Sequence, residues 1–303
     1  MKRIIVMLLG ACIFVGACAS GKDAVELGVF NVHENSWDEV FEHATEMEIH
    51  TWSTGVIEAD PYGLLNRKHP NAPDFTEKRI FVDVPVTYAH VPNHGWLLFD
   101  TGLDKTVQTR PYAHYSGLLT RLIVGEMRQN QGQDVAAHCA SLGAFPDFVF
   151  FTHMHFDHVM GLIDLPEQTV YCKGENEEPI NVPFLFTMDQ TATLRKCKEI
   201  AFSSDSSLYP FDQVVDVFGD SSVYAIYTAG HTKGHTSYLI NSSDGPLLIA
   251  GDAVNIPQNL ESGAGPGSYS WNVKLAEKHF NQIREFLKMY PEVKLQMGHF
   301  IEG

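Results

Sequence analysis

The spacing of apolar and polar residues predicts β-strands through most of the central chain. Apolar side chains recur at every second position from Arg79 to His90, and Trp96 to Phe99 follows after a turn at residues 92–95. Because a two-residue period places alternate side chains on opposite faces of a sheet, these segments predict a half-buried hairpin. Further strands are predicted at residues 47–56, 168–172, 211–217, 223–227, 236–240 and 247–250.

Helical periodicity predicts four helices, at residues 36–44, 134–142, 188–200 and 273–289. Ser36 is a good N-cap for the first helix, and Gly143 directly follows the second, where glycine commonly ends a helix. Segments rich in Gly, Pro, Ser or Asn predict loops at residues 60–73 and 255–272.

The segment 103–133 carries one apolar helical face, formed by Leu118, Leu119, Leu122 and Ile123. Such a face usually packs into the core. Long irregular connections also form lids over sites, so a second interpretation is a wall for an acyl chain. The sequence leaves both open.

The main chemical signal follows a short apolar run, Phe148 to Phe151, which predicts a buried strand. Directly after it comes Thr152-His153-Met154-His155-Phe156-Asp157-His158. In an extended chain, His153, His155 and Asp157 face one way and His158 faces another. Imidazole and carboxylate groups suit zinc or a similar divalent metal, and four such groups exceed the needs of one open catalytic ion. The spacing therefore favours two neighbouring metals over a chance histidine cluster.

Three further metal-binding side chains follow apolar, strand-like runs downstream. His231 follows residues 223–227, Asp252 follows residues 247–251, and His299 comes shortly after Val293. Strand ends often carry binding residues, so these side chains are expected to join the first cluster.

The order H-x-H-x-D-H, G-H, G-D and G-H resembles the metallo-β-lactamase-fold hydrolase superfamily. Within that superfamily the pattern is similar to the N-acyl-homoserine lactonases, with Phe99-Asp100-Thr101-Gly102 upstream and Gly298-His299-Phe300 at the end. The resemblance covers about Ile80 to His299. It implies an α/β protein with the four-layer αββα sandwich of the metallo-β-lactamase fold.

The resemblance also implies the ligands of two divalent metal ions. The first ion is assigned His153, His155 and His231. The second is assigned Asp157, His158 and His299. Asp252 is assigned to bridge them. Zinc is the expected metal, with iron, manganese and cobalt as alternatives.

Two such ions lower the pKa of a shared water towards about 7 and generate hydroxide at neutral pH. This hydroxide is expected to open an ester or lactone, and the best prediction is an N-acyl-homoserine lactone, the substrate of quorum-quenching enzymes. Asp157 is expected to act as the catalytic residue that carries the proton to the leaving oxygen.

The resemblance also implies roles for three other residues. Asp100 either caps a turn or supports a metal-bound histidine, as carboxylates beside metal sites do. His235 is expected to support the site without binding metal. Asn255 stands where the resembled lactonases have a tyrosine that assists the substrate carbonyl, and Tyr269 or Trp271 is a possible replacement.

Other functions fit the same residues. A phosphodiesterase or another esterase would use the same metals, whereas a β-lactamase is disfavoured because those enzymes commonly replace the bridging aspartate. Ligand types alone leave a redox use of the fold open. A non-catalytic metal-binding lipoprotein is the alternative of another class, and a bridging Asp252 argues against it.

Length and charge limit the domain organisation and the partners. A chain of 303 residues is consistent with a single domain, predicted at residues 18–303 with its core at about 80–299. The formal net charge of −16 disfavours nucleic acid and anionic membranes as partners. A small-molecule substrate is expected, and the sequence predicts no oligomeric state.

The N-terminus predicts a bacterial signal peptide at residues 1–17. Basic Lys2 and Arg3 precede an apolar stretch, and Val15-Gly16-Ala17-Cys18 resembles a lipobox. Cys18 is then the lipidated first residue of the mature chain, and the lipid is the only expected membrane contact. Ala19 and Ser20 favour the periplasmic side of the outer membrane. Ordinary cleavage and release to the periplasm is the alternative.

Cys139, Cys172 and Cys197 remain after such processing. Cys172 and Cys197 could form a disulfide in an oxidising compartment, or all three could be buried as small apolar residues.

Overall fold

The computed structural model describes residues 30–179, 187–188 and 196–302. The predicted signal peptide at residues 1–17 and the predicted lipidation site Cys18 lie outside these residues. In the described part of the chain, no helix is long and apolar enough to cross a membrane.

The described residues form seven α-helices, two short 3-10 helices and fifteen strands. The α-helices are α1 (Trp37–Glu42), α2 (Pro61–Leu64), α3 (Thr120–Val124), α4 (Val135–Leu142), α5 (Phe156–Val159), α6 (Pro257–Ser262) and α7 (Val273–Met289). The 3-10 helices are Lys105–Gln108 and Met160–Asp164. The strands are β1 (Phe30–Asn31), β2 (Glu48–Ala59), β3 (Ile80–Val91), β4 (Gly95–Phe99), β5 (Tyr115–Ser116), β6 (Met127–Arg128), β7 (Phe148–Phe150), β8 (Val170–Gly174), β9 (Thr187–Met188), β10 (Cys197–Ile200), β11 (Val214–Asp216), β12 (Val223–Tyr227), β13 (Thr236–Ile240), β14 (Leu247–Gly251) and β15 (Lys294–Met297).

Two mixed sheets pack face to face and carry helices on their outer sides. One sheet has the strand order β1-β11-β12-β13-β14-β15, and the other has the order β10-β8-β7-β4-β3-β2-β6. A cluster containing Phe99, Phe150 and Tyr238 fills the space between them. On the outer face of the first sheet, Trp37 of α1 and Phe280 of α7 belong to a second cluster. These layers are the predicted αββα sandwich.

The outer face of the second sheet is covered by α4 and the 3-10 helix at Met160–Asp164. Val135 and Cys139 of α4 belong to a third apolar cluster together with Val84 and Val86 of β3. The alternation predicted a half-buried β3, whereas residues of both faces are buried from Val84 to Ala89, because one face packs towards α4 and the other lies between the sheets.

Strand directions bring the chemically important segments to one edge of the sandwich. In the second sheet β4, β7 and β8 are parallel. In the first sheet β12 and β14 run the same way because each is antiparallel to β13, and β15 is parallel to β14. The carboxyl ends of β4, β7, β12, β14 and β15 therefore open towards the same rim.

Three of the predicted helices are confirmed, with their capping residues. The Ser36 hydroxyl accepts the backbone N–H of Glu39 at the start of α1. α4 begins after Asp134 and ends at Gly143, which has the left-handed conformation. α7 has the predicted bounds, and the Asn272 side chain caps its first turn.

Other predictions about local structure are wrong. Within the predicted helix at 188–200, Cys197–Ile200 is strand β10, which pairs in parallel with β8; most of the remaining segment lies outside the described residues. Tertiary pairing here overrides helix propensity.

Of the two alternatives for the cysteines, the structure has the one without a disulfide. Cys172 is buried, and no disulfide joins it to Cys197.

Candidate metal centre and substrate cavity

Five loops at the rim deliver the side chains singled out in the sequence. Asp100 follows β4, and residues 153–158 follow β7. His231, Asp252 and His299 come just after β12, β14 and β15. These side chains come from positions spread between Asp100 and His299. Only the pairing and packing of the sheets can therefore bring them together.

The first group of possible ligands contains three histidines and one aspartate. They are His153, His155, His231 and Asp252, whose ligand atoms all lie within 4.8 Å of one another. His231 Nε2 lies 2.8 Å from His155 Nδ1 and 3.2 Å from Asp252 Oδ2. His153 Nε2 is 3.9 Å from the same carboxylate oxygen.

The second group contains Asp157, His158 and His299. His299 Nε2 lies 3.6 Å from Asp157 Oδ2 and 3.4 Å from Asp252 Oδ2. His158 Nε2 lies 3.4 Å from Asp252 Oδ1. Asp252 thus reaches both groups, which is the position expected of a bridging carboxylate.

The prediction that Asp157 points the same way as His153 and His155 is wrong. The chain leaves the extended conformation at Phe156 and forms the one-turn helix α5. Helical geometry turns Asp157 and His158 away from the strand direction and towards His299. The division into two groups implied by the family resemblance is the one that the structure has.

Hydrogen bonds orient three imidazole rings. Asp100 Oδ2 accepts from His158 Nδ1 at 2.8 Å, and the Asp83 carbonyl accepts from His299 Nδ1 at 2.9 Å. The Thr152 hydroxyl donates to Asp100 at 2.8 Å and lies 3.1 Å from His153 Nδ1. These contacts favour the proton on Nδ1 when each ring is neutral and direct Nε2 towards the centre, which is the arrangement that metal-bound histidines require.

Burial and neighbouring charges set the protonation of the cluster. Burial holds the pKa of His153 and of His231 well below the usual range, and it lowers the pKa of His155 to about 4. Burial also opposes a charge on His158, but the carboxylates of Asp100 and Asp157 raise its pKa well above the usual value. The first group therefore holds neutral imidazoles, which is the form that binds metal.

Unsatisfied buried atoms support the assignment of a metal. Buried His153 Nε2, His158 Nε2 and Asp252 Oδ1 have no hydrogen-bond partner within the described chain. Buried polar atoms are nearly always paired, so the convergence of these three atoms on one point fits a bound cation. The donor set of imidazole nitrogens and carboxylates fits two zinc-like ions.

Further contacts hold the bridging aspartate in place. His235 Nε2 accepts the backbone N–H of Asp252 at 3.0 Å, and its Nδ1 lies 2.9 Å from the Thr228 hydroxyl. His235 thus supports the site without belonging to either ligand group, as expected. A Cβ atom at Gly298 would lie 2.2 Å from Asp252 Oδ1, so no larger residue fits there.

A cavity of about 380 Å³ opens onto the cluster. Its polar floor contains His155, Asp157, His231, Asp252 and His299. Its walls are largely apolar. They include Ile57, Ala59, Leu64, Leu122, Ile123, Val124, Met154 and Phe156. An uncharged, partly apolar small molecule fits such a lining.

The leucine-rich segment forms part of this cavity and not the core. Leu122 and Ile123 on α3 line the cavity while remaining 63% and 43% exposed. Leu118 is 84% exposed. The core-packing interpretation is therefore wrong for these residues, and the wall interpretation agrees with the structure.

Asn255 does not line the cavity. It is buried, and its amide donates to the Leu64 carbonyl at 2.9 Å. Tyr269 lines the cavity instead, while Trp271 packs near Lys233. The Tyr269 phenol oxygen accepts the Asp60 N–H at 2.9 Å, which leaves its own proton available to donate.

Sequence reasoning missed Thr152, Glu177 and Arg79. Thr152 precedes the first histidine and hydrogen-bonds Asp100, and Arg79 lines the cavity. Glu177 lies in a loop that no motif marks, and its carboxylate is buried against the ligand loops. Only Thr152 carries a signal in the sequence, which is its adjacency to the histidine motif.

Comparison with known proteins finds a similarity to one family. The model of the Metallo-beta-lactamase superfamily matches residues 144–286 of this chain. The N-acyl homoserine lactonase AttM of Azorhizobium caulinodans is 26% identical over 198 residues, which is 61% of this chain and 71% of that protein.

Two solved structures share the fold. A quorum-quenching N-acyl homoserine lactone lactonase has a TM-score of 0.63 at 16% identity, covering 84% of this chain and 92% of that chain. AidC, a dizinc quorum-quenching lactonase in complex with its product, has a TM-score of 0.54 at 14% identity, covering 84% and 88%. With its αββα fold, its converged histidines and aspartates and these relatives, the chain is similar to the metal-dependent hydrolases of the metallo-β-lactamase superfamily.

Proposed function

We propose that this protein hydrolyses N-acyl-homoserine lactones, using two divalent metal ions held by the two ligand groups. The observation that carries the proposal is the cavity, because a mostly apolar wall leads to a floor of metal-binding side chains. The polar floor would bind the lactone ring, and the apolar wall would pack against the acyl tail. The lactonase relatives add support.

Bound metals would supply an activated water and polarise the carbonyl. His153, His155 and His231 would hold one ion and Asp157, His158 and His299 the other, with Asp252 between them. The side chains of the protein orient the substrate around them. Asp157 is buried, reaches the cavity and is positioned to hold the proton that moves to the leaving alkoxide oxygen.

A substrate panel tests this function. Purified, metal-loaded protein is incubated with N-acyl-homoserine lactones of several chain lengths, a simple carboxylic ester, a model phosphodiester and a β-lactam. Ring opening of the lactones at the highest kcat/KM supports the proposal. Arg79 on the cavity wall favours the phosphodiester alternative, whereas Glu58 and Asp60 beside it oppose an anionic substrate. Hydrolysis of the phosphodiester alone would contradict a lactonase.

Tyr269→Phe tests whether the cavity phenol contacts substrate. We propose that its hydroxyl donates to the polar head of the lactone in place of the tyrosine missing at Asn255. Loss of one hydrogen bond, worth about 1 kcal/mol, is expected to lower lactone kcat/KM by about 5- to 10-fold. Tyr209→Phe removes an exposed phenol that contacts Glu285 and serves as the matched control. Equal kinetics in both variants would exclude a substrate contact.

Leu122→Ser tests the acyl-chain wall. Removing apolar contact in the cavity is expected to raise KM for a decanoyl lactone by about 10-fold, because one buried leucine contributes about 1.5 kcal/mol. KM for a butanoyl lactone should hardly change, since a short chain does not reach the wall. Leu118→Ser is the matched control, because Leu118 is exposed and is not part of this cavity lining. An equal rise for both lactones would contradict the assignment.

A further inference from the structure

Glu177 is a buried carboxylate outside both ligand groups, in the loop after β8. It is 1% exposed. The loop turns sharply, with the Glu177 N–H directed at the Gly174 carbonyl at 3.3 Å. Burial raises the pKa of Glu177 to about 7, because a charged carboxylate is less stable in a buried environment than in water.

The two oxygens of this carboxylate contact two different ligand loops. Oε1 accepts the backbone N–H of Met154 at 2.9 Å, and Met154 lies between His153 and His155. Oε2 accepts the backbone N–H of Gly234 at 2.9 Å, in the loop that begins at His231. One side chain thus links segments that are about eighty positions apart and that supply three ligands of the first group.

Packing leaves little freedom at this junction. A Cβ atom at Gly234 would lie 2.3 Å from the Glu175 carbonyl oxygen and 2.8 Å from the Glu177 nitrogen. The Lys173 ammonium donates to the Glu177 carbonyl and anchors the loop from the other side. The carboxylate is therefore held against both backbone N–H groups.

The second group is supported differently. Asp100 contacts His158 directly, and the Asp83 carbonyl contacts His299. No contact of Glu177 to Asp157, His158 or His299 is recorded among the described residues. Asp100 also reaches the first group through Thr152, which contacts His153, whereas the Glu177 hydrogen bonds to Met154 and Gly234 lie beside ligands of the first group only.

We propose that Glu177 is a positioning residue for the first metal site, acting by fixing the spacing of the two loops that carry His153, His155 and His231. Its carboxylate accepts from backbone N–H groups of these loops and does not line the cavity. This inference rests on the metal centre of the proposed function, but it does not depend on which ester is hydrolysed.

The test measures metal affinity with one site disabled at a time. In a His299→Ala background, which weakens the second site, Glu177→Gln is expected to lower the remaining zinc affinity by about 10- to 100-fold in chelator competition. Glutamine keeps one accepting carbonyl oxygen, but its NH2 group cannot accept from a backbone N–H, so one of the two links is lost. In a His231→Ala background, which weakens the first site, the same change should leave zinc affinity unaltered.

Glu175→Gln is the matched control, because it makes the same chemical change in the same loop on a partly exposed side chain. Equal affinity losses in both backgrounds would overturn the proposal and indicate general destabilisation. No loss in either background would also overturn it. If Glu177→Gln does not fold, Glu177→Asp keeps the charge but is too short to reach both N–H groups. Selective weakening of the first site must then appear in that variant, and unchanged affinity would refute the inference.

These readouts use zinc content and affinity alone. Absence of lactone hydrolysis by the unmodified protein would count against the proposed function, whereas the zinc measurements would still decide the role of Glu177.

Discussion

Asp252→Asn is expected to lower kcat/KM for lactone hydrolysis by about 10³-fold or more and to reduce bound metal from two ions to one or fewer per chain. Asp252 Oδ2 lies 3.2 Å from His231 Nε2 and 3.4 Å from His299 Nε2, so this carboxylate joins both ligand groups. Asparagine keeps one oxygen and replaces the other with a nitrogen that cannot bind metal. Steady-state kinetics and mass spectrometry of bound metal measure the two effects.

Asp244→Asn is the control for this experiment. Asp244 lies in the exposed turn before β14, at the opposite end of the strand that precedes Asp252. It should retain full activity and both metals. Wild-type turnover in Asp252→Asn, with two metals bound, would contradict the bridging role.

Removing the metals is expected to produce the other large effect. Dialysis against a strong chelator should reduce lactone hydrolysis to background, and adding Zn²⁺ should restore it, because the histidines and aspartates alone provide no activated water. Rebinding should also stabilise the fold, by about 4 kcal/mol when free metal is 1,000-fold above its Kd. Activity assays and thermal unfolding of the apo and reloaded protein measure both consequences.

Reloading with Mn²⁺, Co²⁺ or Fe²⁺ in parallel identifies the metal that supports the highest turnover. Hydrolysis that persists in protein stripped of metal would contradict a metal-dependent mechanism. Protein that rebinds two ions but hydrolyses no ester in the panel would favour the non-catalytic metal-binding alternative.

The ligands could be predicted from the sequence because they are tied to local signals. Each follows an apolar run that forms a strand, and the residue types are those that bind divalent metals. The structure brings together all seven side chains assigned to the centre, and Asp100 and His235 contact it as expected. The strands β3 and β4 and the helix α7 were likewise predicted closely, since their periodic patterns are long and regular.

Residue spacing alone did not determine how the candidate ligands divide between the two groups, although the family resemblance implied the division that the structure has. An extended conformation of residues 153–158 would place Asp157 beside His153, whereas the helical turn α5 directs it towards His299. Such a short turn has too few residues to show a period. The helix prediction for the segment that forms β10 is wrong because this segment becomes a strand only by pairing with β8, a separate segment of the chain.

Local patterns of the chain therefore indicated the strand ends and the candidate metal-binding side chains, and the family resemblance implied the fold class. Tertiary structure decided which surfaces become the cavity wall, that Tyr269 and not Asn255 lines the cavity, and that Glu177 hydrogen-bonds to two of the loops that carry candidate ligands. These facts depend on contacts between segments distant in the chain. Residue type and spacing do not reveal such contacts, because the contacts form only when the two sheets pack.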